Sequence, residues 1–359
     1  MTTLTEKIGQ MFMIGVQDEA LTRDERLIIE ECGFGGFILF SHNCLEPRQI
    51  LSLCRALWET GTELPPFIAI DQVGGRVHRL PPPFTHFPPA AALGRTGSAE
   101  LAYKVGLVTA GELSAVGINL NFAPVLDVHS NPGNPVIGDR SLSSEPEKVI
   151  RLGWEIVRGL REGGIISCGK HFPGHGDTDK DSHLALPIVE KSLAELKAIE
   201  LPPFVHACRQ GIETLMTAHV LYRALDPEFP ATLSEKIVTG LLRRDLGYDG
   251  VVFSDDMEMK AIGASYGDDE AVERAVRAGV DVLLYGHELP RAVRAFEFLC
   301  AEAEQNPAVR ARVEESYRRI TQLKNSRLRA FTGVDETEIS MRLASLDHRR
   351  IVDEIQGSL

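Results

Sequence analysis

A chain of 359 residues, 43% of them hydrophobic, is long enough to bury a large core and has an ordinary globular composition. Its 51 acidic residues against 38 basic ones give a net charge of -13, which repels phosphate backbones and anionic lipid surfaces and argues against nucleic acid or membrane as partners. The opening stretch MTTLTEKIGQMFMIGV holds only a short apolar run with no cleavage site after it, and no later segment approaches ~20 apolar residues; with no C-x-x-C pair among the six cysteines, a cytoplasmic protein with reduced thiols is expected.

The first apolar run, MFMIG (11–15), reads as a strand and is followed by a helical pattern over 23–31. GFILF (36–40) precedes a helix over 47–60, FIAID (67–71) one over 99–116, and LNFAP (120–124) one over 146–162. SCGKHF (167–172), LMTAHV (215–220), VVFSDD (251–256) and VLLYG (282–286) are followed by helical stretches over 193–210, 234–246, 269–278 and 289–305. Strands alternating with helices predict a parallel sheet, and eight repeats predict its closure as a (β/α)8 TIM-type barrel over residues 1–305. Uninterrupted apolar runs suit strands covered on both faces. Residues 306–359 begin with helical spacing at Val309, Val313, Ile320 and Leu323, and a C-terminal helical extension packed on the barrel is expected there.

Polar residues gather where these runs end: Asp71, Asp127, Lys170 with His171, His219, and Asp255 with Asp256. In a barrel of this kind the strand C-termini build the active site, so five strands point polar groups at one mouth. Successive strand residues alternate in direction, so only one of Asp255 and Asp256 is expected to face that mouth.

The densest of these stretches is KHFPGHGDTDKDSH (170–183). His171 and His175 have the spacing of two zinc ligands on one helix face, but Pro173 and Gly174 stand between them, so no metal site is expected. Asp177, Asp179 and Asp181 match the first three acidic positions of a calcium loop, yet Ser182 and Ile188 occupy the positions that need Gly and Glu. What remains is an Asp181–His183 carboxylate and imidazole dyad for acid/base work, or a solvated acidic loop.

KHFPGHGDTDKDSHLALP resembles the signature of glycoside hydrolase family 3, in particular its bacterial cytoplasmic β-N-acetylglucosaminidases of peptidoglycan recycling. The similarity continues in order through IDQVGGRVHRL (70–80), LNFAPVLDV (120–128), VIGDRSLS (136–143), LMTAHV (215–220) and VVFSDDMEMKAI (251–262). The resemblance implies a barrel, a retaining hydrolase without cofactor, Asp255 as nucleophile, and His183 held by Asp181 as general acid/base. It also implies sugar binding by Asp71, Arg79, Arg140, Lys170 and His171, and a small carbohydrate or muropeptide substrate. A neutral histidine base admits an anionic acceptor, so a phosphorylase stays open beside the hydrolase, as do a β-glucosidase and a non-catalytic sugar-binding protein. One position departs from the family pattern: Val73 stands where the resemblance implies glutamate, which bears on how Arg79 is oriented.

Overall fold

The computed structural model describes residues 2–61, 64–179, 182, 186–343 and 345–357. Eight parallel strands close into a barrel in the order β1 (Phe12–Gly15), β2 (Gly36–Leu39), β3 (Phe67–Ile70), β4 (Leu120–Asn121), β5 (Ile166–Phe172), β7 (Thr214–Thr217), β9 (Val251–Asp256) and β10 (Val282–Tyr285), the last returning to β1. The closing register pairs Phe12 with Leu283 and Met13 with Gly36. The remaining strands, β6 (Ile188–Val189) and β8 (Leu221–Tyr222), form a separate two-stranded parallel sheet. All residues of β2, β3 and β5 are buried, which is why β2 and β3 are apolar without alternation, while β5 buries Ser167, Lys170 and His171 as well. Inside the barrel the Phe253 ring meets Phe67 and Phe122 edge-on, with centroids 5.9 and 5.5 Å apart.

The helices begin and end where local chemistry supports them. Thr22 and Glu25 form a capping box ahead of the helix Arg23–Cys32, and Gly33 ends it in the left-handed region. The helices Ala99–Ala115 and Pro146–Glu162 approach closely through Gly106 and Gly159, where any side chain would run into Ile156 O and Tyr103 O. Such contact requires glycine on both helices.

Three elements depart from expectation. The 193–210 stretch is two helices, Leu193–Ala198 and Pro202–Arg209: the first ends at Ile199, which leaves helical geometry, and Pro202 and Pro203, which have no amide hydrogens to donate, open the second, where no such donor is needed. Only Leu120 and Asn121 of LNFAP pair as strand, because the Ala123 amide turns back to Asn121 O at 2.8 Å and Pro124 after it has no amide to donate. The 234–246 stretch winds at the wider π pitch over Lys236–Asp245.

Past the barrel strands run the helices Pro307–Arg327, Glu336–Arg342 and Leu346–Gly357. The first sends Lys324, fully buried, under the barrel, where its ammonium donates to Gln10 Oε1 and Gly35 O at 2.7 Å each and lies 4.6 Å from the Phe67 ring centroid. Burial pushes this lysine down to about 7.

Candidate active site

A cavity of about 560 Å³ opens at the C-terminal end of the barrel. Asp71, Arg79, Arg140, Lys170, His171 and Asp255, six of the eight candidate site residues, line it together. The other two, Asp181 and His183, lie outside the described residues.

Asp71 follows β3 directly and sits among three cations. Its Oδ1 accepts from Lys170 Nζ at 2.5 Å, and its Oδ2 is 3.8 Å from Arg79 Nη2. Burial acts to raise the Asp71 carboxyl, but Lys170, then Arg140 and Arg79, overcome it and hold the group below the usual carboxylate range. Arg140, at the end of the short turn Gly138–Arg140, is buried and anchored to Val136 O at 3.4 Å. The Nε atoms of Arg79 and Arg140 are buried with no hydrogen-bond partner among the described residues. Val73 packs with Val125, Val136 and Ile137 instead of lining the cavity, and Arg79 keeps Asp71 as its carboxylate.

Asp127, expected at the mouth, is instead a fully buried anchor beneath it. Its Oδ1 accepts from the amides of His171 and His175 at 3.0 and 2.7 Å, and its Oδ2 pairs with His171 Nδ1 at 2.7 Å. Holding Nδ1 in this way leaves His171 Nε2 for the cavity. His219 is likewise buried, bonded to Thr232 Oγ1 at 2.8 Å and Asp256 O at 2.9 Å, behind the wall rather than on it.

Two adjacent polar pairs face the cavity where alternation would allow one residue each. At the end of β9 the register advances three residues, from Phe253 to Asp256, while β10 advances two, from Val282 to Leu284. That irregularity turns both Asp255 and Asp256 toward the mouth, contrary to the expectation for a regular strand. β5 shows the same slip between Lys170 and Phe172, and there Lys170 and His171 both reach the cavity.

The neighbouring carboxylates differ in environment. Burial acts to raise Asp255, but His171 and His219, the Asp256 amide and Lys170 bring it below the ordinary range, so it is ionised at neutral pH. Burial, aided by Glu258 and Asp255, pushes Asp256 up to about 7, although its Oδ1 accepts from the Glu258 amide at 3.0 Å. His287 Nε2 lies 3.5 Å from Asp256 Oδ2, and its ring stacks on Phe40 at 4.9 Å.

The segment that follows β5 is pinned from below. Asn134 Nδ2 donates to His175 O at 2.9 Å and Thr178 Oγ1 at 3.1 Å, and Lys191 Nζ bridges Asp177 at 3.0 Å and Glu200 at 2.7 Å. Burial pushes His175 down to about 4, so it is a neutral ring bonded to Thr178 Oγ1 and Ser182 Oγ. Ser182 itself lines the cavity, and its carbonyl accepts from Ala261 N at 3.2 Å. Asn131, whose Nδ2 donates to Asp177 O and Thr178 O at 3.3 Å each, and Asn134 were missed in the sequence, although SNPGNP (130–135) carries the asparagine, proline and glycine signal of a structured turn.

Residues 3–323 match the glycosyl hydrolase family 3 N-terminal domain. A β-hexosaminidase of Neisseria meningitidis serogroup C is 43% identical over 273 residues, 74% of each chain. Among solved structures, a family 3 β-N-acetylglucosaminidase from Paenibacillus sp. str. FPU-7 superposes with a TM-score of 0.94 at 42% identity, over 99% of this chain and 68% of its own. NagZ from Neisseria gonorrhoeae, solved with N-trifluoroacetyl-D-glucosamine, superposes with a TM-score of 0.78 at 32% identity over 97% of both chains; it has also been solved with a zinc ion. Among the described residues of the present chain, no group of three or more His, Cys, Asp or Glu could hold a metal ion, and no helix is long and apolar enough to cross a membrane.

Proposed function

The chain belongs to glycosyl hydrolase family 3 and is a glycoside hydrolase, and on that premise we propose that it is a retaining exo-β-N-acetylglucosaminidase that releases terminal N-acetylglucosamine from muropeptide fragments during cytoplasmic cell-wall recycling. The observation that carries this reading is that Asp255, buried yet ionised, opens onto the same cavity as the Asp71–Lys170 pair, Arg79, Arg140 and His171. An ionised carboxylate among fixed donors is what nucleophilic attack on a bound sugar needs.

In the proposed first step an Asp255 oxygen bonds to the anomeric carbon as the glycosidic bond breaks, and His183 gives its proton to the departing oxygen. In the second, His183 takes a proton from water, the hydroxide displaces Asp255, and the sugar leaves with retained configuration. Asp181 orients the imidazole. Ser182, which separates Asp181 from His183, lines the cavity and is bonded to Ala261 six residues past Asp255, which supports this role for the loop. Asp71 accepts from sugar hydroxyls, while Lys170, Arg79, Arg140 and His171 hold them with directional bonds.

The N-acetyl preference draws on the similarity to the β-hexosaminidase and β-N-acetylglucosaminidase relatives. It is tested by comparing a 4-nitrophenyl N-acetyl-β-glucosaminide with the β-glucoside. The expected ratio of kcat/KM is ~10²-fold or more in favour of the N-acetyl sugar, and Asp255→Asn should cost ~10⁴-fold or more. Equal rates on the two sugars would overturn the specificity, and an active Asp255→Asn would overturn the nucleophile.

A further inference from the structure

The helix Leu346–Gly357 lies beyond the residues matched by the family domain, yet it touches the loop that carries Arg79. His348 Nδ1 is 3.0 Å from Glu112 Oε1 and 3.3 Å from Thr85 Oγ1. The same buried carboxylate accepts from the Thr85 amide at 2.8 Å and from its hydroxyl at 2.6 Å. Two residues further on, Phe87 shares an apolar cluster with Ile351, Val352 and Ile355 of that helix. The polar contacts of His348, and the apolar cluster that Phe87 shares with the helix, therefore tie the same stretch of loop to the C-terminal side.

From there an unbroken set of bonds runs to the cavity. The Gly75 amide donates to Phe87 O at 2.9 Å, and His86 Nε2 lies 2.8 Å from Gly75 O. The His86 and His78 rings stack with centroids 4.0 Å apart. Gln72 Nε2 is 2.6 Å from His78 Nδ1, while Gln72 Oε1 accepts from the Arg79 amide at 2.9 Å. Arg79 then faces Asp71. Every link is a direct contact, and Glu112 lies on the rigid helix Ala99–Ala115.

We propose that His348 is a positioning residue for sugar binding: through Glu112 and Thr85 it holds the 72–89 loop, and with it Arg79, in the arrangement the cavity needs. Its effect on catalysis rests on the hydrolase reading above; its effect on the loop does not. Two measurements on the full-length protein separate these. By hydrogen exchange, His348→Ala should speed the amides of residues 72–80 by about 10-fold while leaving residues 136–142 at the wild-type rate. His348→Asn, whose side-chain amide falls near the place of Nδ1, should restore protection. With the N-acetylglucosaminide, His348→Ala should raise KM about 10-fold with kcat within about 2-fold, and should add less than about 2-fold when Arg79 is already alanine.

Unchanged exchange over residues 72–80, or faster exchange spread evenly over the whole chain, would overturn the proposal, the latter because it marks general loosening. Equal losses in the wild-type and Arg79→Ala backgrounds would overturn the route through Arg79. A wild-type protein inert toward the N-acetylglucosaminide would sink the hydrolase reading alone, because exchange reads the loop without substrate.

Discussion

Asp255 and Asp256 share a strand end and a cavity, yet they ionise in different ranges because they face different neighbours. Burial acts to raise both; histidines and Lys170 offset it at Asp255, while Asp256 looks toward Glu258 and Asp255. The consequence for stability has a definite sign. Between about pH 4 and about 7 folded Asp256 keeps a proton that the unfolded chain has released, so the stabilisation is complete below the unfolded value and is lost as pH rises through about 7. Asn mimics the protonated form at every pH. The Tm of Asp256→Asn should therefore rise relative to wild type between about pH 5 and pH 8, and a difference independent of pH would show that Asp256 titrates as an ordinary carboxylate. That Asp255 and Asp256 both face the cavity was not legible in the sequence, since alternation predicts one and only the slip against β10 yields two. Asp71, Arg79, Arg140, Lys170 and His171, by contrast, were legible, because motif order carried each of them to one barrel mouth.

At the scale of elements, the segment after β5 has a well-bonded stem: Asp127, Asn134 and Lys191 hold it from beneath. If this stem presents His183 to the leaving oxygen, His183→Ala should depress cleavage of a disaccharide by ~10²–10⁴-fold and cleavage of an activated aryl glycoside far less, because a phenolate departs without a proton. Equal losses on both substrates would assign the ring to binding. The glycine contact between the helices Ala99–Ala115 and Pro146–Glu162 makes a different kind of prediction. Gly159→Ala must push a methyl into Tyr103 O, and should cost about 1–3 kcal/mol by chemical denaturation while leaving kcat per folded molecule unchanged. Strands and long helices were readable from apolar period, but the break before Pro202 was not read, although two adjacent prolines stand there. The contact of His348 with Glu112 was not, because 236 positions separate two residues whose local patterns are only helical.

For the whole molecule, the count of strand and helix alternations was enough to foresee a closed barrel. Closure is the property that no local window contains. β1 finds one of its two neighbours only in β10, and the ion pair of Lys7 with Glu314 and the bonds of Lys324 to Gln10 and Gly35 join the beginning of the chain to segments about 300 residues later. Lys324 thus sets a schedule for synthesis. A nascent chain leaves the ribosome with one edge of its first strand bare, and the carbonyl of Gly35 and the side chain of Gln10 wait without their cation until residue 324 has emerged. Until Val282–Tyr285 pairs with β1 the sheet keeps an open edge that must avoid pairing with other chains, and the lysine that seals its floor is made only after all eight barrel strands.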